Sequence, residues 1–274
     1  MQKNVVLITK WIIPLAALIA IAAYIYISPP GLLGKADAVG YAICHRIDAR
    51  SFHIHDRQLP MCARDTGTFT SAAISMLYVA IIGRKRGGMP AKKIGVVLIS
   101  LFLIWGFDGA NSYLYLIKET YSGALPQIPN LYIPNNTLRL LTGSGMGMGM
   151  ATVLHAAFNQ TAWKEVDMRP ALGSWRDIGL LVAIMLFIDL LILTESPFIL
   201  YPVTYISVFG VLMLLTMIFS VVWIMVMRQD NSFTSAKEMW IALLAGFTLA
   251  LIMIIGIDLL RLQMTGTWGA FPLG

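Results

Sequence analysis

The chain has 274 residues, 58% of them hydrophobic and only 12% charged, with a mean hydropathy of +0.74. A soluble domain carries about 25% charged residues, so these totals argue for lipid as the solvent and against a water-soluble domain. The net charge of +6 would point to nucleic acid in a soluble protein. Here the basic residues fall in short loops between apolar runs, where they set topology instead, and no nucleic-acid partner is expected.

A spanning helix needs roughly 20 mostly apolar residues. Seven runs fit, at approximately 8–28, 66–83, 94–117, 137–162, 178–195, 198–227 and 239–265. The first reads as an uncleaved anchor. Lys3 and Lys10 precede it as they would a signal peptide, yet no small-x-small cleavage site comes before Pro29-Pro30. The fourth run is the weakest, being rich in Gly and Thr. Only Glu195-Ser196-Pro197 separates the fifth from the sixth, with Pro supplying the stop. The expected fold is all-α: a single polytopic transmembrane helical bundle over residues 1–274, with no internal repeat.

Orientation follows from Lys and Arg in the loops. With the N-terminus inside, twelve basic residues lie on the inner side: Lys3, Lys10, Arg84, Lys85, Arg86, Lys92, Lys93, Lys164, Arg169, Arg176, Arg228 and Lys237. Eight lie elsewhere, five of them in the one loop at 29–65. The N-terminus is expected inside, the C-terminus outside, and the long loops at 29–65 and 118–136 on the outer face.

The 29–65 loop carries Cys44-His45-Arg46, Arg50-Ser51-Phe52-His53-Ile54-His55 and Leu59-Pro60-Met61-Cys62-Ala63-Arg64-Asp65-Thr66-Gly67. Both cysteines and three of the four histidines of the chain sit here. Thiolates and imidazoles are ligands for zinc and related metals. Cys44, His45, Cys62 and Asp65 could supply four, with His53 and His55 as alternates. The other reading is a Cys44–Cys62 disulfide, expected in an oxidising outer compartment. It would close a loop of about 19 residues and stabilise it by roughly 3 kcal/mol. Residue types leave both open.

The Cys-His, Arg-Ser-Phe and Leu-Pro-x-Cys-Ala-Arg-x-Thr-Gly strings resemble the signature of a prokaryotic membrane family, domain-of-unknown-function family 2085. Further matches are Asp108-Gly109-Ala110-Asn111 and Asn136-Thr137-Leu138-Arg139-Leu140-Leu141-Thr142-Gly143. The resemblance covers roughly residues 40–150, leaving the three further helices of 163–274 outside. It implies a multi-pass protein of the prokaryotic cytoplasmic membrane. The family usually has Cys-Ala-Arg-Cys where this chain has Asp65. That exchange keeps an anionic ligand but weakens the hold on a soft metal.

Ionisable groups within spanning helices are costly and mark candidate sites. Asp108, Arg139, Asp189, Asp258 and Arg261 qualify. The ligand-binding candidates are Asp108, Asn111, Asn136, Arg139 and Thr142, because these fall in the stretches that carry the resemblance. Asp108 and Arg139 are expected to face each other, and Asp258 to pair with Arg261 three residues on. Structural ion pairs closing the bundle remain the alternative. The Gly143–Met150 alternation reads as close helix packing, and His155 as a hydrogen-bonded core histidine.

Two functions from different classes fit. One is a polar site opening to the outer leaflet, handling a small anion or lipid headgroup in a transporter or membrane enzyme. The other is a non-catalytic accessory subunit of a larger membrane complex, with other membrane subunits as partners. No nucleotide-binding, zinc-protease or serine-hydrolase motif occurs.

Overall fold

The computed structural model describes residues 2–121 and 125–269, with side chains from residue 9 onward. Lys3, counted among the inner basic residues, lies outside the described side chains, and residues 122–124 of the second long loop lie outside altogether. Eight α-helices are present among the described residues: α1 Gln2–Ile27, α2 Gly31–Ile43, α3 Ala63–Ile82, α4 Lys92–Thr120, α5 Asn136–Ala162, α6 Trp175–Ile192, α7 Pro197–Val226 and α8 Trp240–Thr265. Every expected run is helical.

Five stretches are long and apolar enough to cross a membrane: Thr9–Ile27, Ala63–Ile82, Lys92–Thr120, Pro197–Val226 and Ala236–Thr265. Helices α5 and α6 complete the expected seven by position but not by composition. The 18 residues of α6 include Arg176, Asp177 and Asp189, and α5 is diluted by Gly, Ser, Thr and Asn. The reason is local environment. Helix α5 packs against α3, α4 and α7, so its surface meets protein, where small and polar residues serve better than bulky apolar ones. The lipid-type surface is carried by helices such as α1 and α4, with Trp11, Leu15, Leu18, Val96, Ile99 and Phe107 exposed.

The α3–α5 seam shows what the glycines do. A Cβ on Gly143 would come 2.1 Å from the Arg64 carbonyl oxygen, and one on Gly147 would meet Thr68 O at 2.1 Å. Spaced four apart, they share one face and let the two backbones touch. Ser71 Oγ donates to Ser144 O across the same seam at 2.8 Å. Close packing is borne out for this face, whereas Gly149 meets nothing within 4 Å.

The segments expected on the inner side gather at one end of the bundle. Strand β3 Arg86–Gly88 pairs in parallel with β4 Asp167–Pro170, Trp163 bridges Phe233, and Lys85 Nζ lies 4.4 Å over the Trp163 ring. His155 accepts its expected core role there, its Nε2 lying 3.0 Å from Gly83 O.

The opposite end departs from expectation. Residues 29–65 form not an open loop but helix α2 and an antiparallel hairpin of β1 Ser51–Ile54 and β2 Arg57–Cys62. Helix α2 buries Ala36, Ala38, Val39 and Tyr41 against β2, α7 and α8. Its Gly40 is needed for that contact, because a Cβ would stand 2.0 Å from the Pro60 carbonyl oxygen. The hairpin in turn buries Phe52, Ile54 and Leu59 against Leu140, Ile192 and Leu200. Apolar side chains at alternate positions of so short a segment carry little signal in sequence, yet here they anchor the whole cap.

Candidate functional site

Docking α2 onto β2 places the two cysteines together at the bundle's end. Arg46, just past α2, adopts a left-handed backbone with φ 54, a conformation uncommon outside glycine. Its N–H donates to Cys44 Sγ at 3.4 Å, and the Cys62 N–H donates to the same sulfur at 3.2 Å. Cys62 Sγ donates to Asp65 Oδ2 at 3.2 Å, one helical turn into α3. The ligand atoms of Cys44, Cys62 and Asp65 all lie within 4.8 Å of one another. Both cysteines are free thiols. The adjoining Cys62 thiol, and then burial, hold the Cys44 pKa well above the usual thiol range.

The expected four-ligand set is thereby reduced to three. His45 is exposed and lines the neighbouring cavity, outside the cluster. His53 bonds Asp48 on the surface at 2.9 Å, and His55 occupies the hairpin turn with φ 54. Neither alternate reaches the sulfurs. Two cysteines and a carboxylate are donor types that zinc accepts.

That cavity, of about 310 Å³, lies between the α2–β1 connection, the start of α3, α4 and α5. Four arginines line it: Arg46, Arg50, Arg64 and Arg139. Arg46 is neutralised by Asp37 at 3.1 Å and Arg64 by Asp108 at 2.5 Å. Arg50 donates to the Ser112 carbonyl at 3.2 Å and Arg139 to Asn136 Oδ1 at 2.8 Å. Neither of these two forms an ion pair within 4 Å among the described residues, although Glu119 acts electrostatically on Arg50 and Asp108 on Arg139. The buried Nε atoms of Arg46, Arg64 and Arg139, and Nε1 of Trp105, have no hydrogen-bond partner. Unmatched buried donors are costly, and guanidinium forks match phosphate and carboxylate geometry. The lining is predominantly basic, four arginines against Asp65.

Asp108 does not pair with Arg139. It is 2% exposed and accepts from three donors: Arg64, Tyr132 Oη at 2.6 Å and Thr142 Oγ1 at 3.2 Å. Burial, followed by the bond to Asp108, pushes the Tyr132 phenol up to about 12, so it remains a proton donor. Asn111 holds the approach to α5, accepting from Leu131 N at 2.9 Å and donating to Tyr132 O at 3.0 Å. Of the five expected ligand residues, Arg139 alone lines the arginine cavity. Asn136 orients Arg139, while Asp108, Asn111 and Thr142 tie α3, α4 and α5 together. Sequence reasoning passed over Arg46, Arg50 and Arg64. They stood inside the quoted motif strings, but a basic residue in a loop was weighed only as a topology signal.

Residues 44–153 match the model of the family described as Predicted membrane protein (DUF2085). This stretch of the DUF2085 type holds every residue lining the arginine cavity except Ile43. It also contains the whole cysteine cluster, whereas α6, α7 and α8 lie outside it. An uncharacterized protein of Methanothermobacter thermautotrophicus is 27% identical over 111 residues, covering 40% of this chain and 83% of the relative. No solved structure matches. Together with its apolar helices, the match makes the chain a multi-pass transmembrane protein.

The charges beyond the matched stretch play other parts. Asp189 accepts from Ser144 Oγ at 2.8 Å, joining α6 to α5. Arg261 and Asp258 interact electrostatically, as expected, without closing to an ion pair within 4 Å. Arg261 Nη1 donates to the carbonyls of Tyr41 and Cys44 at 2.5 and 2.6 Å, and its guanidinium lies 4.0 Å over the Tyr41 ring. The end of α2 leaves those carbonyls without helical partners, and the guanidinium supplies them.

Proposed function

We propose that this is a seven-span protein of the prokaryotic cytoplasmic membrane, N-terminus inside, whose outer end binds a small anionic ligand. The observation that carries this reading is the arginine cavity, where Arg50 and Arg139 form no close ion pair and the Nε atoms of Arg46, Arg64 and Arg139 are unmatched among the described residues. Arg139 is the central ligand, set by Asn136. Asp108, with Asn111 and Thr142, is scaffold. Titrating the detergent-purified protein with inorganic phosphate tests it. Saturable binding that weakens with added salt is expected, and no binding at millimolar phosphate overturns it.

The orientation rests on the twelve inner basic residues and on the gathering of those loops at one end. An impermeant thiol reagent applied to intact cells should label the half-buried Cys62. Labelling only after permeabilisation inverts the topology.

Cys44, Cys62 and Asp65 are further proposed to hold zinc, bordering the anion chamber. Support comes from their convergence within 4.8 Å. Elemental analysis should find about one zinc per chain, lost in Cys62→Ser. Metal-free protein whose mass is lower by two hydrogens would instead establish the disulfide.

The accessory-subunit reading draws on Asp108, whose three partners make a closed staple. It does not account for Arg50 and Arg139, which line the cavity without a close ion pair among the described residues.

A further inference from the structure

An apolar groove of about 470 Å³ lies between α4 and α5, reaching from Phe102 to Met89 and Pro90 just before α4, toward the end opposite the arginine cavity. Its walls include Leu98, Phe102, Met146, Met150 and Val153. Phe102 is 50% exposed and Val153 47%, so the groove opens sideways toward lipid. Nothing about it alone names an occupant.

Its alignment with the cavity does. On α4, Leu98, Phe102, Trp105, Gly109, Ser112 and Leu116 follow alternating spacings of four and three, so they form one stripe. The first two line the groove and the other four line the cavity. On α5, Arg139, Met146, Met150 and Val153 share a face by the same rule, with Arg139 in the cavity and the rest in the groove. The two chambers meet at an aromatic pair, where the Phe102 ring of the groove stacks on the Trp105 ring of the cavity, centroids 5.9 Å apart. The guanidinium cavity and the methionine-lined groove thus follow one another along the same faces of α4 and α5, a track of two chambers.

We propose that the track binds a phospholipid bearing a phosphate-monoester headgroup, with the phosphate among Arg50, Arg64 and Arg139 and one acyl chain along the α4–α5 groove. This rests on the anion reading above and adds the class of ligand. Methionine suits a flexible chain, since its unbranched thioether adapts to irregular shapes. Charge complementarity selects the head. The apolar groove in line with it separates a lipid from a free anion.

The test places the full chain in phosphatidylcholine nanodiscs containing a minor fraction of phosphatidate with a diazirine in one acyl chain. Photolabelling is expected on the peptides spanning 89–102 and 146–153. Excess unlabelled phosphatidate should compete it away, and phosphatidylcholine should not. Arg139→Gln should reduce the competable label by about tenfold. Gly149→Phe, which extends into space where a Cβ meets nothing within 4 Å, should displace it while leaving phosphate binding intact. Gly95→Leu, equally open at the groove's inner end, serves if the first variant fails to fold. Label indifferent to headgroup, or unchanged by both filling variants, overturns the lipid proposal. Should inorganic phosphate still bind in that case, the anion reading survives. If neither phosphate nor phosphatidate binds, both fall.

Discussion

Asp108→Asn should destabilise the protein by about 3–5 kcal/mol, the usual consequence of removing one partner from a buried ion pair. The carboxylate is 2% exposed and joins three elements at once: Arg64 on α3, Tyr132 before α5, and Thr142 on α5. An asparagine has one acceptor oxygen for three donors, so at least one buried donor is orphaned and the Arg64 charge is left facing a neutral amide. Unfolding in detergent, followed by heat or denaturant, reads the loss. Arg64→Gln should cost a similar amount alone. The double variant Asp108→Asn/Arg64→Gln should be less damaging than the two single losses added, because neither charge is then stranded. A loss below about 1 kcal/mol for Asp108→Asn would mean the pair is solvated and carries little load.

Arg139→Gln should leave the fold intact and weaken phosphate binding by about 100-fold, the scale of one or two charge-assisted hydrogen bonds. Arg139 forms no ion pair within 4 Å among the described residues, and its Nη1 donates to Asn136 Oδ1 at 2.8 Å. Removing the charge therefore strands no counter-ion, in contrast with Arg64. Arg139→Lys should recover only part of the affinity, since an ammonium keeps the charge but not the planar two-pronged contact. Calorimetric titration at low and raised ionic strength separates these effects, because the loss should shrink as salt screens the cavity. Equal phosphate affinity in wild type and Arg139→Gln would remove Arg139 from the site.

These two residues also mark how far sequence could go. Both were legible as ionisable groups inside apolar runs, where hydrocarbon makes an unpaired charge expensive. Their roles were not legible. Asp108 and Arg139 looked like a pair because each lacked a visible partner. The true partner of Asp108, Arg64, sits at the first turn of α3, and its reach depends on how α3 leans on α5 across Gly67, Gly143 and Gly147. Likewise Asp258 and Arg261 are neighbours on one helix face, but a tertiary contact with the end of α2 draws the guanidinium away.

What the sequence determined by itself was what depends on composition and short-range periodicity. The apolar runs became helices, the glycine stretch became a tight seam, and the crowding of thiols near one segment became a cluster of two sulfurs and a carboxylate within 4.8 Å. The solvent imposes the first of these, since lipid leaves backbone groups no partner but each other. Tertiary structure alone decided which charges meet. It folded residues 29–65 into a packed helix and hairpin, turned Arg46 and Arg50 inward, left His45 outside the thiol cluster, and aligned the arginine chamber with the α4–α5 groove. A long side chain sweeps several ångströms around its Cα, and its partner depends on helix rotation and crossing, which hydropathy does not encode. Burial of Phe52, Ile54 and Leu59 sets that geometry, through contacts with residues more than eighty positions away in the chain.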